Sequence, residues 1–432
     1  MKINKLFTII FIIMFLTRFA YFFYIKPYSP SHPRFGELFE MERAAISLAT
    51  EGRIANIYAA DSGVSAHVAP LYPGFLSVID RLSGLDMGWF RWAEGMSAII
   101  STAVCAALMP MLATRARLSK GVGTGAALLM LLSPLGMWFE IRGDWETTFA
   151  ALVLVAALWS LMTLQDCSRG QFRPAVAAGV VVGIGALLSP VVLMGVLLAL
   201  LGEAFACRCR AHAVQLALGG SLLLGTTALV ISPWIYRNFV CLSGFVPIRS
   251  NFGIEFAVGN HPENRDGTTY GVRGMAFHPT LNAVEAEKLK AVGEVAYNRM
   301  KLRETWASIQ THPGRFAKLT TRRLVLFWFP SGNVVWGPQS FIPVPMKSVA
   351  IGIVTVLAFG GLASLFVRRH PYRWLIAGIF IGPSLPYLVT HVFFRYRYPL
   401  LWLTFLLACE CVARAVSAAK RLGSSPEAAR VV

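Results

Sequence analysis

Glu37 and Glu40 are the first residues in this sequence whose type and spacing could do chemistry. They head a polar stretch, Glu37 to Pro73, stranded between hydrophobic segments. Carboxylates are unfavourable beside hydrocarbon, and a positioned carboxylate can take a proton from a reacting group. Three positions apart, the two share one face of a helix. Leu38, Met41, Ala45 and Leu48 form the opposing apolar stripe. Such a helix would lie on the membrane with its carboxylates toward a cavity. The competing reading is a solvated acidic cap at a helix N-terminus, which the macrodipole favours. Glu42 is expected to be solvated, paired with Arg43 or Arg53.

The cations form a second group. Arg395 and Arg397 lie in Arg395-Tyr396-Arg397-Tyr398-Pro399. A guanidinium there suits bidentate contact with a phosphate; the alternative is snorkelling to lipid headgroups. Arg237, beside Trp234, has the same two readings. Arg142, Asp144 and Glu146 sit close together, either as an internal salt bridge or as ligand contacts. His67 and His278 could touch a substrate or a metal. No His-x-x-x-His or Asp-x-Asp spacing exists, so no metal and no other cofactor is assigned.

The elements that must position these groups are mostly apolar. The 432 residues are 56% hydrophobic and 14% charged, against about 45–50% and about 25% in soluble domains. Apolar runs are expected to span at 6–25, 93–113, 121–139, 147–165, 174–189, 191–206, 215–235, 347–367, 374–393 and 399–417. The first run is too long for a signal peptide and carries Arg18, so it reads as a retained span. Arg18 itself should face the protein interior or the outer boundary. The expected fold class is an all-α polytopic membrane protein with about ten transmembrane helices and two large outer loops carrying amphipathic juxtamembrane helices.

Basic residues in the short connections fall on one side with both termini, which orients the chain with its ends cytoplasmic. The net charge of +18 is therefore a topology signal, and no basic stripe with interleaved aromatics suggests a nucleic-acid partner. The chain divides into 1–235, which includes a first outer loop 26–92, a second outer loop 236–346, and 347–432. Within the second loop Asn282 to Phe316 reads as helix. The segment 324–330 is too short to span, and Trp328 and Trp336 read as interfacial anchors. Gly179, Gly183 and Gly185 suggest close helix packing. Of the seven cysteines, only Cys241 is expected outside, so no external disulfide is expected.

Several segments resemble the bacterial protein O-mannosyltransferase and aminoarabinose-transferase family, glycosyltransferase family 39, with its C-type multi-span fold. Glu37, Glu40, Met41, Ala45, Leu48 and Gly52 match its first-loop acidic helix. Ala69-Pro70-Leu71-Tyr72-Pro73 matches its Pro-Pro-Leu-Tyr-Pro. Asp144 to Phe149 opens a span as the family does. Pro233 to Asn238, Gly244 to Pro247, Asn251, Gly253, Gly259-Asn260, His312-Pro313, Arg323, Phe327-Trp328 and Arg395-Tyr396-Arg397 complete the pattern. The first acidic position, usually Asp, is Glu37 here; an Arg of the family is Ser189; the first Pro of the pair is Ala69.

The resemblance implies a sugar donor linked to a polyprenyl phosphate and an envelope acceptor, a glycolipid, polysaccharide or protein. It implies transfer on the periplasmic face of the bacterial inner membrane. Glu37 and Glu40 would be the catalytic carboxylates. Tyr72, His67, Arg237, Arg395, Arg397 and Glu146 would meet the substrates, Tyr72 as pocket wall or sugar platform. A non-enzymatic transporter or lipid flippase is the alternative, and an envelope-assembly scaffold a third.

Overall fold

The computed structural model describes residues 5–25, 38–84, 86–133, 136–167, 172–207, 210–268, 277–331 and 343–423. Glu37 and Trp336 lie outside the described residues. Among the described residues the regular structure is helical, with only two isolated β-bridges, Ala55 with Val64 and Thr268 with Val392.

Among the described residues, six helical runs are long and apolar enough to cross a membrane. They are α1 (Lys5–Ile25), the long α4 (Met87–Arg115) and α7 (Thr147–Asp166), most of α10 (Arg210–Leu242), α15 (Val344–Val367), and the run from α18 (Phe394–Arg397) through α19 (Leu401–Gly423). The other four expected spans coincide with shorter apolar helices. These are α5 (Lys120–Leu132), α8 (Arg173–Leu188), α9 (Val191–Ala206), and α16 (Arg373–Ile381) continued by α17 (Leu385–Val389). The last pair is broken at Gly382-Pro383, where a 3₁₀ turn intervenes, because proline cannot donate to the preceding turn.

Small residues let these helices approach closely. A Cβ at Gly361 of α15 would lie 2.0 Å from the Leu407 carbonyl of α19. One at Gly179 of α8 would lie 2.6 Å from the Leu223 carbonyl of α10, and one at Gly185 2.6 Å from Val153 of α7. Arg18 is fully buried and finds its partner in Glu140, at 2.5 Å, with further bonds to the Met130 and Leu131 carbonyls. The neutralised pair removes the penalty that a lone guanidinium would suffer in hydrocarbon.

The remaining helices, α2 (Glu40–Glu51), α3 (Leu71–Leu82), α6 (Met137–Arg142), α11 (Phe252–Asn260), α12 (Ala283–Val292), α13 (Glu294–Thr311) and α14 (Pro313–Trp328), come from the two long loops and a turn. The expected single helix over 282–316 is three. It breaks at Gly293, whose φ of +82° favours glycine, and again at His312-Pro313. Asn282 caps α12 by accepting from the Val284 and Glu285 amides. The segment 324–330 is no separate anchor: it ends α14, with Phe327 and Trp328 buried in the main core.

Candidate active-site cavity

α2 begins at Glu40, with Met41, Ala44 and Ala45 packed against α3. Its C-terminus turns at Gly52 in the left-handed region, φ 70°. Glu42 corrects the expectation of a solvated residue. It is fully buried, accepts the Phe39 amide at 2.8 Å, and is ion-paired to Arg91. Packing against α4, which carries Arg91, turns it inward. Arg91 also lies 3.3 Å from Glu94 and 3.7 Å from Asp144, whose carboxylate meets Arg142 Nε at 2.6 Å. Paired charges of this kind can be buried where lone ones cannot.

The chain passes from this cluster to the cavity through a strained-looking but well-chosen turn. Gly143 adopts φ 72°, and a Cβ there would lie 2.6 Å from the Glu94 carbonyl. Tyr72 is fully buried and donates its hydroxyl to the Gly143 carbonyl. It therefore supports the turn carrying Asp144 from behind; it is not among the residues lining the cavity.

The cavity measures about 800 Å³. Its lining is mixed: Leu193, Met194, Leu385 and Pro386 are apolar, and Glu40, His67, Glu146, Arg249, Glu255 and Arg395 are charged or polar. The Arg395 guanidinium lies 3.5 Å from the Trp145 ring centroid and 5.2 Å from that of Tyr396. Arg249 donates Nε to the His67 carbonyl at 2.8 Å. Glu146 has Ser189 Oγ at 3.5 Å, and its Oε2 is buried with no hydrogen-bond partner among the described residues. Tyr396 stacks on Tyr387, centroids 4.1 Å apart and nearly parallel, and shares a 2.8 Å hydrogen bond with His391 Nε2.

Arg397 and Arg237 lie elsewhere. Arg397 is buried and donates to the Trp328 carbonyl and to Thr355 Oγ1, both at 2.5 Å, tying the last span to α14 and α15. Arg237 donates to the Ser65 and Ile54 carbonyls at 2.9 and 3.0 Å while stacking on Trp234 at 4.6 Å. It thereby fastens the first loop to α10.

Glu40, His67 and His278 come together although nothing in their spacing announces it: their ligand atoms all lie within 4.8 Å of one another. Tyr58 OH lies 3.0 Å from His67 Nδ1, and Thr280 Oγ1 lies 2.6 Å from His278 Nδ1, which leaves each ring its Nε2. Burial, then His278, pushes His67 well below the ordinary histidine value, so the imidazole is neutral near pH 7. One carboxylate and two imidazoles form a donor set that fits a divalent ion such as zinc. Beside them sits Glu255. Burial alone would raise its pKa, but His391, His278, His67 and Arg249 outweigh that and bring it to about 2. Arg249, Glu255, His391 and Tyr396 were not singled out as site residues from sequence. The available signals were that Tyr396 lies within the Arg395-Tyr396-Arg397 element of the resemblance and that Arg249 and Glu255 flank its Asn251 and Gly253.

No protein-family model matches the chain, and no curated protein matches it. Solved structures do. The archaeal oligosaccharyltransferase AglB from Archaeoglobus fulgidus, in complex with an inhibitory peptide and a dolichol-phosphate, superposes with TM-score 0.53 at 14% identity, over 89% of this chain and 47% of that one. Its apo form gives TM-score 0.57 at 14% identity, over 96% and 51%. The chain shares the fold of those chains over most of its length. It spans about half the length of those chains. ArnT from Cupriavidus metallidurans bound to undecaprenyl phosphate overlaps less well, with TM-score 0.43 at 16% identity over 96% of this chain and 79% of that one.

Proposed function

We propose that the protein is a membrane glycosyltransferase that moves a sugar from a polyprenyl-phosphate-linked donor to a hydroxyl or amine of an envelope acceptor, on the periplasmic face of a bacterial inner membrane. The observation that carries this is the cavity of about 800 Å³, which Glu40, Arg249 and Arg395 line together with apolar residues such as Leu193, Met194 and Leu385. A polyprenyl-phosphate sugar has matching chemistry: an isoprenoid chain for the apolar residues and an anionic phosphodiester, which becomes a dianionic monoester on transfer, for the guanidinium groups. The shared fold supports it too, since AglB was solved with a dolichol-phosphate.

In this reading the acceptor gives its proton to a carboxylate, Glu37 or Glu40. The freed lone pair forms the new bond to the anomeric carbon. The bond from that carbon to the phosphate oxygen breaks, and its electron pair leaves on the phosphate. Arg395 and Arg249 hold that developing charge. The leaving phosphate is already a stable anion, so no strong acid is required. Where Glu37 is the base, Glu40 with His67 and His278 would hold a divalent ion, whose chemistry would be to add positive charge to the site. Tyr396, steadied by His391 and Tyr387, keeps Arg395 in place by stacking.

The test uses the purified protein with a polyprenyl phosphate carrying a radiolabelled sugar. Label should pass from the lipid to a hydroxyl- or amine-bearing acceptor extracted from the envelope. If the labelled lipid binds and changes sides of a vesicle with its sugar intact, the flippase reading replaces this one.

A further inference from the structure

A second pocket lies on another face of α11. Asn251, Phe252 and Glu255 look into the large cavity, whereas Ile254, Ala257 and Val258 line a separate space of about 260 Å³. Across it, α13 presents Lys301, Glu304, Thr305 and Ser308, one helical stripe by their spacing. A third wall is aromatic: the rings of His261 and Phe277 stack with centroids 4.3 Å apart.

The walls are held independently of any ligand. Arg315 donates to the carbonyls of Asn260, His261 and Asn264, which fixes the loop bearing His261. Tyr297 donates its hydroxyl to Glu285, and Lys301 meets the same carboxylate at 2.9 Å. Glu304 lies 3.7 Å from Lys301. Lys301 is thus paired with Glu285, which it shares with Lys288, and lies near Glu304, so among the described residues lining the pocket no unpaired lysine or arginine is left for a phosphate or carboxylate. Burial lowers the His261 pKa, which leaves that ring neutral near pH 7. An extended peptide would look for an open sheet edge, and only isolated bridges occur among the described residues. What remains is a small space with flat aromatic and aliphatic surface on two sides and hydroxyl and carboxylate acceptors on the third. The faces of a sugar ring have that alternation of C–H and O–H.

We propose that this pocket binds a neutral saccharide unit, its ring against the His261–Phe277 stack and its hydroxyls toward Glu304, Thr305 and Ser308. Assigning that saccharide to the acceptor rests on the transfer reading above; the binding itself does not.

The experiment is saturation-transfer NMR on the full chain in lipid nanodiscs, with methyl glucoside, methyl galactoside and methyl mannoside as probes. At least one should receive saturation from the wild type. Ser308→Trp fills the pocket and should abolish the signal while polyprenyl phosphate still binds the large cavity. Glu304 is exposed, so Glu304→Ala leaves the core intact; it should weaken the signal about five-fold or more, as expected for loss of a charged hydrogen-bond acceptor. No saturation in the wild type, or unchanged saturation in either folded variant, overturns the proposal. Saccharide binding without polyprenyl phosphate binding leaves this site standing and removes the transfer reading instead.

Discussion

Arg395 and Arg397 show how two positions of separation divide roles. On the short helix α18 residues i and i+2 do not face each other, so Arg395 reaches the cavity and Arg397 the core between α14 and α15. Arg395→Ala should raise the apparent Kd for polyprenyl phosphate about ten- to hundred-fold, the range for a lost charged hydrogen bond, and Arg395→Lys should recover part of it. Arg397→Ala should instead lower stability by on the order of 2–5 kcal/mol, through a cavity and orphaned carbonyls, read as a fall in melting temperature. Glu37→Gln should lower the transfer rate about a hundred- to ten-thousand-fold with donor binding intact, as for a lost general base. Glu40→Gln should lose less if Glu40 only orients substrate; the reverse order in the rate assay would move the base to Glu40. Glu255 gives a pH prediction. Its folded value, about 2, is below its ordinary 4.5. Its stabilising contribution is therefore fully present above about 4.5 and lost as pH falls toward about 2. Glu255→Gln should flatten the acid limb of the melting temperature between those values.

At the scale of elements, α11 is the partition between the two pockets, and glycines set its position. A Cβ at Gly253 would lie 2.0 Å from the Asn298 carbonyl of α13, and one at Gly259 1.9 Å from the Thr390 carbonyl. Both neighbours are backbone and cannot swing aside. Gly253→Ala should lower stability by about 1–3 kcal/mol, the ordinary range for overpacking, detected by thermal unfolding in detergent. An unchanged melting temperature would mean that α11 and α13 are not packed this tightly. Glu294 at the start of α13 reinforces the same junction. It accepts from Ser65 Oγ at 2.5 Å, the Ala66 amide at 2.8 Å and the Ser250 hydroxyl, so one carboxylate joins both long loops.

For the whole molecule the open question is which face of the membrane the cavities meet. The basic connections argue that both termini are cytoplasmic and that 236–346 is outside. In a cysteine-free background, Glu287→Cys, on the exposed side of α12, should react with an impermeant maleimide from outside intact cells. Lys420→Cys, exposed near the end of α19, should react only after permeabilisation. The opposite labelling pattern would turn the molecule over and set the proposed chemistry on the cytoplasmic face.

Composition and local pattern were enough to read a helical membrane protein, the apolar segments, the close-packing glycines of α8, and a first-loop helix, though that helix was expected to begin at Glu37 and α2 begins at Glu40. Those features depend on near neighbours in the chain, where periodicity is a direct record of environment. The tertiary structure alone decided which polar groups share a site. Glu40, His67, Glu255, His278 and Arg395 come from five separate stretches of chain, and no spacing rule links them. It also decided the direction of single side chains: Glu42 inward onto Arg91, Arg397 into the core, Arg237 onto loop carbonyls. In a protein with so few charges, a carboxylate or guanidinium takes its role from whichever buried partner the packing brings within reach. That is a long-range property, written in the fold and not in the local sequence.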